Sequence, residues 1–515
     1  MNIVVIGAGV GGLTAASLLL KAGHPVTVLE AHVYAGGCAG TFFHQGYRFD
    51  AGATLAGGFS AGGPHARLAA ALGLSWPISP VDPAWVTHLP ERSITQWADA
   101  ERWREERRKA FPRSEPFWQK QERLAEIAWD VSSRDFPWPP ESPRDLLTLA
   151  AALRPQTLLA APYLFSTVAD VSGAANRDPL FKTFLDAQLL IAAQTTADYT
   201  HALYGSAALD LPRRGVNHVR GGIGALAATL VDWIRAHGGW VLFRQKVEKI
   251  ETRYGRAVAV QTNKGLRLEA DAVIANVTPW ALADLLGEAA PSGLRREVQR
   301  RAPTWGAFTL YLGLDATQLP AGFPDHHQVV VDPALPLGEA NSVFISLSAA
   351  GDTQRAPAGQ RAATLSTHTA ILPWLELKKR DPAAYEARKA AYTEKMLAAA
   401  ERALPGLRRA VRLCLPGTPA TFEFYTRRPQ GMVGGFPQTS LFNVRGPSTG
   451  LPNVWLVGDS IFPGQSTAGV TLGGMRVAAA VQKSAARFSR FGTVCAPRQP
   501  EPRLSRQRSN TQCEC

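Results

Sequence analysis

The chain has 515 residues, 46% of them hydrophobic, enough for a sizeable core shared by two interleaved domains. Its 55 Lys and Arg against 42 Asp and Glu leave a formal charge of +13, which draws attention to nucleic acid and to anionic membrane surfaces. Nucleic acid is set aside: "ERWREERRKAFPR" mixes signs, "LRREVQRR" is short, no recognition motif accompanies either, and both read as solvated faces or a lipid-facing rim.

Cys38, Cys414, Cys495, Cys513 and Cys515 form no CxxC pair and no framework, which fits a reducing, cytoplasmic location. No HExxH is present, and the adjacent His326 and His327 read as a solvated loop, so no metal site is expected.

Residues 1–20 carry no charged side chain, but no basic segment precedes the apolar run and four glycines interrupt it, which argues against a signal peptide or a membrane span. "NIVVIGAGVGGLTAASLLLKAGHPVTVLE" instead spells strand, tight turn, helix and strand within one βαβ unit, a dinucleotide-binding pattern. Gly7 permits the turn, Gly9 lets the backbone approach a pyrophosphate, and Gly12 allows the helix to pack closely on the strand. Ala8, Val10 and Gly11 complete the loop, whose helix N-terminus offers amides and a positive dipole end to phosphate. Glu30, with Ala31 beside it, ends the second strand where its carboxylate can accept from a ribose, which disfavours a 2′-phosphate.

After Glu30 come a glycine pair, Gly36 and Gly37, then Cys38, then "GYRFDAGAT" with Gly52, Ala53 and Thr54. At the far end "LPNVWLVGDSIFPGQSTAGVTLGGMRVAAAVQ" reads as a strand ending in Gly458 and Asp459, a loop, and a helix from about Thr467. Asp459 is placed to accept from ligand hydroxyls, and Ala468, Gly469 and Val470 would aim amides and a helix dipole at a bound ligand. Between these ends, a helix from about Gly222 leads into alternating strands and the buried run "DAVIANV".

These segments resemble the carotenoid desaturase and carotenoid isomerase group of the amine oxidase flavoprotein superfamily, from Met1 to about Ser484. The likeness is sharpest in "GGCAGTFFHQGYRFDAGAT", "GTPATFEFYTRRPQGMVGGFPQ" and "GDSIFPGQSTAGVTLGG", and is greatest to the C-3′,4′ desaturase branch. It implies an α/β fold: a Rossmann-type FAD-binding domain, discontinuous in sequence (1–65, 213–285 and 450–490), with an interleaved α+β substrate domain (66–212 and 286–449) and an apolar, membrane-facing helical region. The resemblance places Val247 against the adenine through its backbone and Gly52, Ala53 and Thr54 near the flavin. The position after the doublet is often Arg or Lys in that group; here it is Cys38, kept as a backbone contact only.

Seven of the thirteen tryptophans, at 76, 85, 97, 103, 118, 129 and 138, fall in the first half of the substrate domain, as ordinary core or as the wall of an apolar tunnel. A helix capped by Ser142 with Pro143 at its first position precedes a stretch without charge between Arg154 and Asp170, too short to cross a bilayer but able to enter its interface. The last residues, 493–515, read as a disordered basic tail.

The implied reaction is desaturation of an acyclic or hydroxylated carotenoid by hydride transfer to the flavin, with oxygen or a quinone as acceptor at the inner face of the cytoplasmic membrane. No catalytic base is assigned; His65 and His218 are candidates that read better as structural histidines. The alternatives are a carotenoid cis–trans isomerase using reduced FAD, an amine oxidase with a smaller substrate cage, and, outside enzymes, a prenyl-lipid carrier of the GDP-dissociation-inhibitor type.

Overall fold

The computed structural model describes residues 1–134, 138–140, 143–302 and 304–491. Ser142 and the 493–515 tail, both subjects of expectations above, lie outside the described residues.

Runs of three or four residues, mostly β-branched and aliphatic, make the first sheet. Its order is Val454–Leu456, Ala272–Ala275, Ile3–Ile6, Val26–Leu29 and Trp240–Leu242, every pair parallel. Strands with both faces covered need apolar residues throughout, and Ile3–Ile6 and Ala272–Ala275 are buried end to end. Helix Val10–Lys21 packs on the sheet between helices Gly224–Ala236 and Thr467–Phe491, so the N-terminus, the middle and the far end of the chain share one core. A three-stranded antiparallel ladder, Val247–Arg253, Arg256–Thr262 and Arg267–Glu269, adjoins it.

Seven strands form the second sheet, in the order Val411–Gly417, Gly306–Asp315, Gln360–Thr369, Ser342–Leu347, His326–Val330, Trp85–Leu89 and Arg92–Gln96. Side chains alternate along its strands. Phe308, Leu310, Ile345 and Leu365 pack with Trp374 and Met396 beneath helix Pro382–Ala403, whereas Ala307, Thr309, Ser366 and His368 face a cavity. A third cluster joins Trp103, Phe111, Phe117, Trp118, Phe181 and Phe184 between helices Ala100–Ala110, Glu115–Ser132 and Pro179–Ala193.

Several expectations need correction. His326 and His327 do not lie in a solvated loop; they open strand His326–Val330 and are 0% and 2% exposed. A strand between two others buries side chains on both faces, and neighbours meet the rings: Ser346 Oγ lies 2.8 Å from His326 Nδ1, and His88 Nε2 lies 3.0 Å from His327 Nδ1. The run "ERWREERRKAFPR" is not wholly solvated either, because Arg107 is buried, pairs with Glu122 at 2.8 Å and lies over the Trp118 ring. The last strand of the first sheet stops at Leu456, short of Gly458, which takes a left-handed conformation (φ 117°) that ends strand pairing. Gly222, likewise left-handed, precedes the helix instead of starting it. Both tryptophan readings hold in part: Trp103 and Trp118 are core, while Trp85, Trp129 and Trp138 line the cavity.

Candidate active site

Between the two sheets lies one cavity of about 1340 Å³. Small-molecule sites usually span about 300–1,000 Å³, so this one has room for a large cofactor together with a substrate. One half is lined by glycine loops, the other by leucines and aromatics.

The glycine half begins at helix Val10–Lys21. Its N-cap, Gly9, offers no side-chain acceptor, so the first-turn amides have no side-chain cap. Gly7, Gly9, Val10 and Gly11 line the cavity, whereas Ala8 and Gly12 stand behind them. A Cβ on Gly12 would come within 2.8 Å of the Gly7 carbonyl and of Asn276 Cβ, so this glycine serves helix-to-strand packing. Ala8 donates its amide to Glu30 Oε2 at 2.7 Å, and His32 donates to Oε1 at the same distance. These bonds lock the Glu30 carboxylate at the cavity wall while leaving lone pairs for a ribose. Burial pushes the Glu30 carboxyl upward, and the backbone donors hold it back.

Ala31, Gly37, Cys38, Gly52, Ala53, Thr54, Val247, Gly458, Asp459, Thr467, Ala468, Gly469 and Val470 all line the same cavity, brought there from four separated segments. The Cys38 carbonyl is occupied internally, accepting from Ala53 at 3.1 Å, and this bond fixes the 51–54 strip. Asp50, ahead of that strip, is 3% exposed and accepts from Thr41 Oγ1, the Ile223 amide and Arg355 Nη1. It clamps three chain segments and was not legible as a clamp from sequence.

One expectation fails at the far helix. The Gly469 amide donates to Ser466 Oγ at 2.9 Å and the Val470 amide to the Ser466 carbonyl at 3.0 Å. Ser466 therefore caps the helix and removes those two amides from the set that could face a ligand. Ser466 makes this bond from a left-handed backbone conformation, φ 87°.

The sequence also missed two residues. Arg428 Nη1 lies 2.6 Å from Asp459 Oδ2 and 3.7 Å from Cys38 Sγ, so a cation stands beside Cys38 although position 38 carries none. The "TRRP" stretch held the signal, but nothing in it distinguishes Arg428 from Arg427. His368 is the histidine that lines the cavity among the described residues, with Nε2 3.4 Å from Gln194 Nε2. Gln194 ends helix Pro179–Ala193 in a left-handed conformation (φ 60°), and its Oε1 is buried without a partner among the described residues. Burial lowers the His368 imidazole to about 4, so it is neutral at physiological pH. His65 and His218 do not line the cavity: His65 stacks on Phe59, and His218 meets Asp325 at 2.8 Å.

The apolar half is walled by Leu164, Leu189, Leu203, Leu211 and Leu441, and Leu146 and Leu153 both line it and reach the surface. Around them Leu147, Leu158, Leu159 and Phe165 are exposed, Phe165 at 86%, with Phe442 stacked on it at 5.4 Å. No helix among the described residues is long and apolar enough to cross a membrane, and no cluster there could hold a metal ion.

A parallel sheet whose Gly9 has room for a Cβ only if Asn276 moves, beside a large apolar chamber, is the architecture of a flavin-dependent oxidoreductase. The chain belongs to the family of flavin-containing amine oxidoreductases, which it matches over residues 10–482, and it is accordingly an FAD-dependent enzyme. Among curated relatives, the prolycopene isomerase of Daucus carota is 28% identical over 497 residues, covering 92% of this chain and 79% of that one. The neurosporene-forming phytoene desaturase of Cereibacter sphaeroides is 25% identical over 520 residues, covering 95% of each. An oxidoreductase structure from Methanosarcina mazei shares the fold, with a TM-score of 0.63 at 20% identity over 93% of this chain and 99% of that one. The chain thus stands with carotenoid-related oxidoreductases and isomerases.

Proposed function

We propose that this enzyme desaturates an acyclic carotenoid or its hydroxylated derivative at the C-3′,4′ position. The observation that carries this reading is the continuity of one cavity from the Gly9 and Glu30 loops to the exposed leucines 146 and 153, a path suited to a long hydrocarbon. In this reading Gly9, Gly11, Glu30 and Val247 hold the nucleotide half of FAD, and Gly52, Ala53, Gly458, Asp459 and Ala468 adjoin the flavin half. The bound flavin supplies a hydride acceptor.

The protein's part is to exclude water and manage the proton. His368 is neutral and can hold a proton at Nε2. Gln194 accommodates either state of the ring, because rotating a carboxamide exchanges a donor for an acceptor. Residues 1–65, 213–285 and 450–490 serve the cofactor, and 66–212 and 286–449 chiefly the substrate. The leucine- and phenylalanine-rich lip rests on a membrane surface from which substrate is drawn, with oxygen or a quinone reoxidising the flavin.

Desaturation removes two hydrogens and lengthens the conjugated system. FAD-loaded enzyme given lycopene or 1-hydroxylycopene in liposomes, under air or with a quinone, is expected to form a product lighter by two hydrogens that absorbs at longer wavelength. A second reading, cis–trans isomerisation, is favoured by the likeness to the carrot isomerase; equal mass with an altered cis band would establish it instead. No change in any acyclic carotenoid would sink both.

A further inference from the structure

Arg428 stands 390 positions from Cys38 in sequence and touches it in space. It follows the helix Pro419–Thr426 and enters the cavity wall between the 38 loop and the 459 loop. Its side chain is 14% exposed. A guanidinium has five N–H donors in a rigid plane. Nη1 is directed to Asp459 Oδ2 and to Cys38 Sγ; Nη2 is directed to the Gly434 carbonyl at 2.8 Å and to Asp459 Oδ1 at 3.3 Å. Nε, the fifth, is buried with no partner among the described residues.

Leaving a charged donor buried and unsatisfied is costly, and a buried ion pair contributes little by itself once desolvation is counted. Burial works against the charge on Arg428, but Asp459 and Cys38 together more than offset it and the guanidinium stays protonated. The arrangement makes sense when an acceptor arrives from the cavity side. The cavity is the FAD site, and FAD brings oxygens on its pyrophosphate, ribityl chain and flavin. The loop that carries Asp459 is the loop that meets the dinucleotide helix: a Cβ on Gly11 would come within 3.4 Å of the Gly458 amide and 3.1 Å of the Val470 carbonyl.

We infer that Arg428 is a cofactor-holding residue, donating its Nε–H to an oxygen of bound FAD while Asp459 and the Gly434 carbonyl fix its plane. The uncharged Cys38 leaves room for this guanidinium beside the glycine doublet. The inference rests on FAD as cofactor and is independent of which substrate is oxidised.

The test is FAD affinity of the refolded apoprotein, followed by flavin fluorescence, for R428K, R428M, D459N and the double variant R428M/D459N. The double variant removes both charges, so it carries no orphaned carboxylate and stays informative should R428M fail to fold. Loss of one charge-assisted hydrogen bond predicts FAD binding about ten- to hundredfold weaker in R428M than in wild type, and weaker by a similar factor in the double variant than in D459N, a comparison that sets aside any contact made by Asp459 itself. R428K, which keeps the charge, is expected to fall between wild type and R428M. The two-electron midpoint potential then locates the oxygen: a fall in potential from D459N to R428M/D459N places it on the flavin, and an unchanged potential places it on the pyrophosphate or ribityl chain. If R428M/D459N binds FAD as tightly as D459N, Arg428 serves only as the counterion of Asp459 and the inference is wrong.

Discussion

Asn276 fills the space that a side chain on Gly9 would need: a Cβ there would stand 2.2 Å from Asn276 Nδ2. The same carboxamide lies 3.4 Å from a Cβ on Gly11 and 3.1 Å from one on Gly458, so it is wedged among three glycines of the cofactor wall.

Gly9→Ala must therefore displace the Asn276 side chain within the cofactor wall, and FAD binding is expected to weaken at least about tenfold, roughly 1.4 kcal/mol. Because the clash is with a side chain, adding Asn276→Ala should restore much of the affinity. Gly12→Ala meets the Gly7 carbonyl at 2.8 Å, a backbone atom that Asn276→Ala does not move, so no rescue is expected there. Flavin fluorescence titrations of the single and double variants check both statements.

Asp50 and Arg355, 4% and 8% exposed, form a buried pair at 2.8 Å. Removing one partner of such a pair typically costs about 3–5 kcal/mol. Asp50→Ala is expected to lower the denaturant midpoint by a corresponding amount and to loosen FAD, since the 51–54 strip follows directly. A variant with unchanged unfolding would show that the clamp is dispensable.

The lip predicts a separable membrane function. Leu158, Leu159 and Phe165 are 61%, 69% and 86% exposed, and each would contribute about 1.5–3 kcal/mol if fully buried in a lipid interface. The triple serine variant should lose most of its cosedimentation with anionic liposomes while retaining its FAD. Equal cosedimentation of both proteins would remove the lip from the account of membrane binding.

Acid sensitivity follows from the buried imidazoles. Burial lowers His65 to about 3, and His327 and His368 to about 4, from an ordinary 6.5; for His327 the neighbouring His88 adds to the effect. The unfolded chain therefore takes up protons at a higher pH than the folded one. Stability from keeping these rings neutral is complete above about pH 6.5 and is lost as the pH falls from there toward 4, by about 1.4 kcal/mol per pH unit for each group inside its window. Denaturant midpoints measured from pH 7 to pH 4.5 should decline, and His327→Asn should flatten the slope. A midpoint independent of pH over that range would contradict this.

Sequence alone determined the strand, turn and helix that open the parallel sheet, Ile3–Ile6 to Val10–Lys21. Spacing did this: glycines at 7, 9 and 12, an acid at 30 and a strand–loop–helix near 458–470 dictate local conformation, and local conformation decides where a nucleotide can be approached. It also marked an apolar run between Arg154 and Asp170 whose side chains, Leu158, Leu159 and Phe165, stand exposed. The tertiary structure decided which donors and charges remain available. Ser466 takes the Gly469 amide, Asp50 is spent on a clamp, and His326 and His327 sit in a strand interior although their polarity suggested a loop. Arg428 reaches Cys38, and His368 reaches the cavity with Gln194, through contacts between segments 390 and 174 residues apart. Periodicity carries no record of such meetings, because a side chain's partners depend on how whole layers pack and not on its neighbours in the chain.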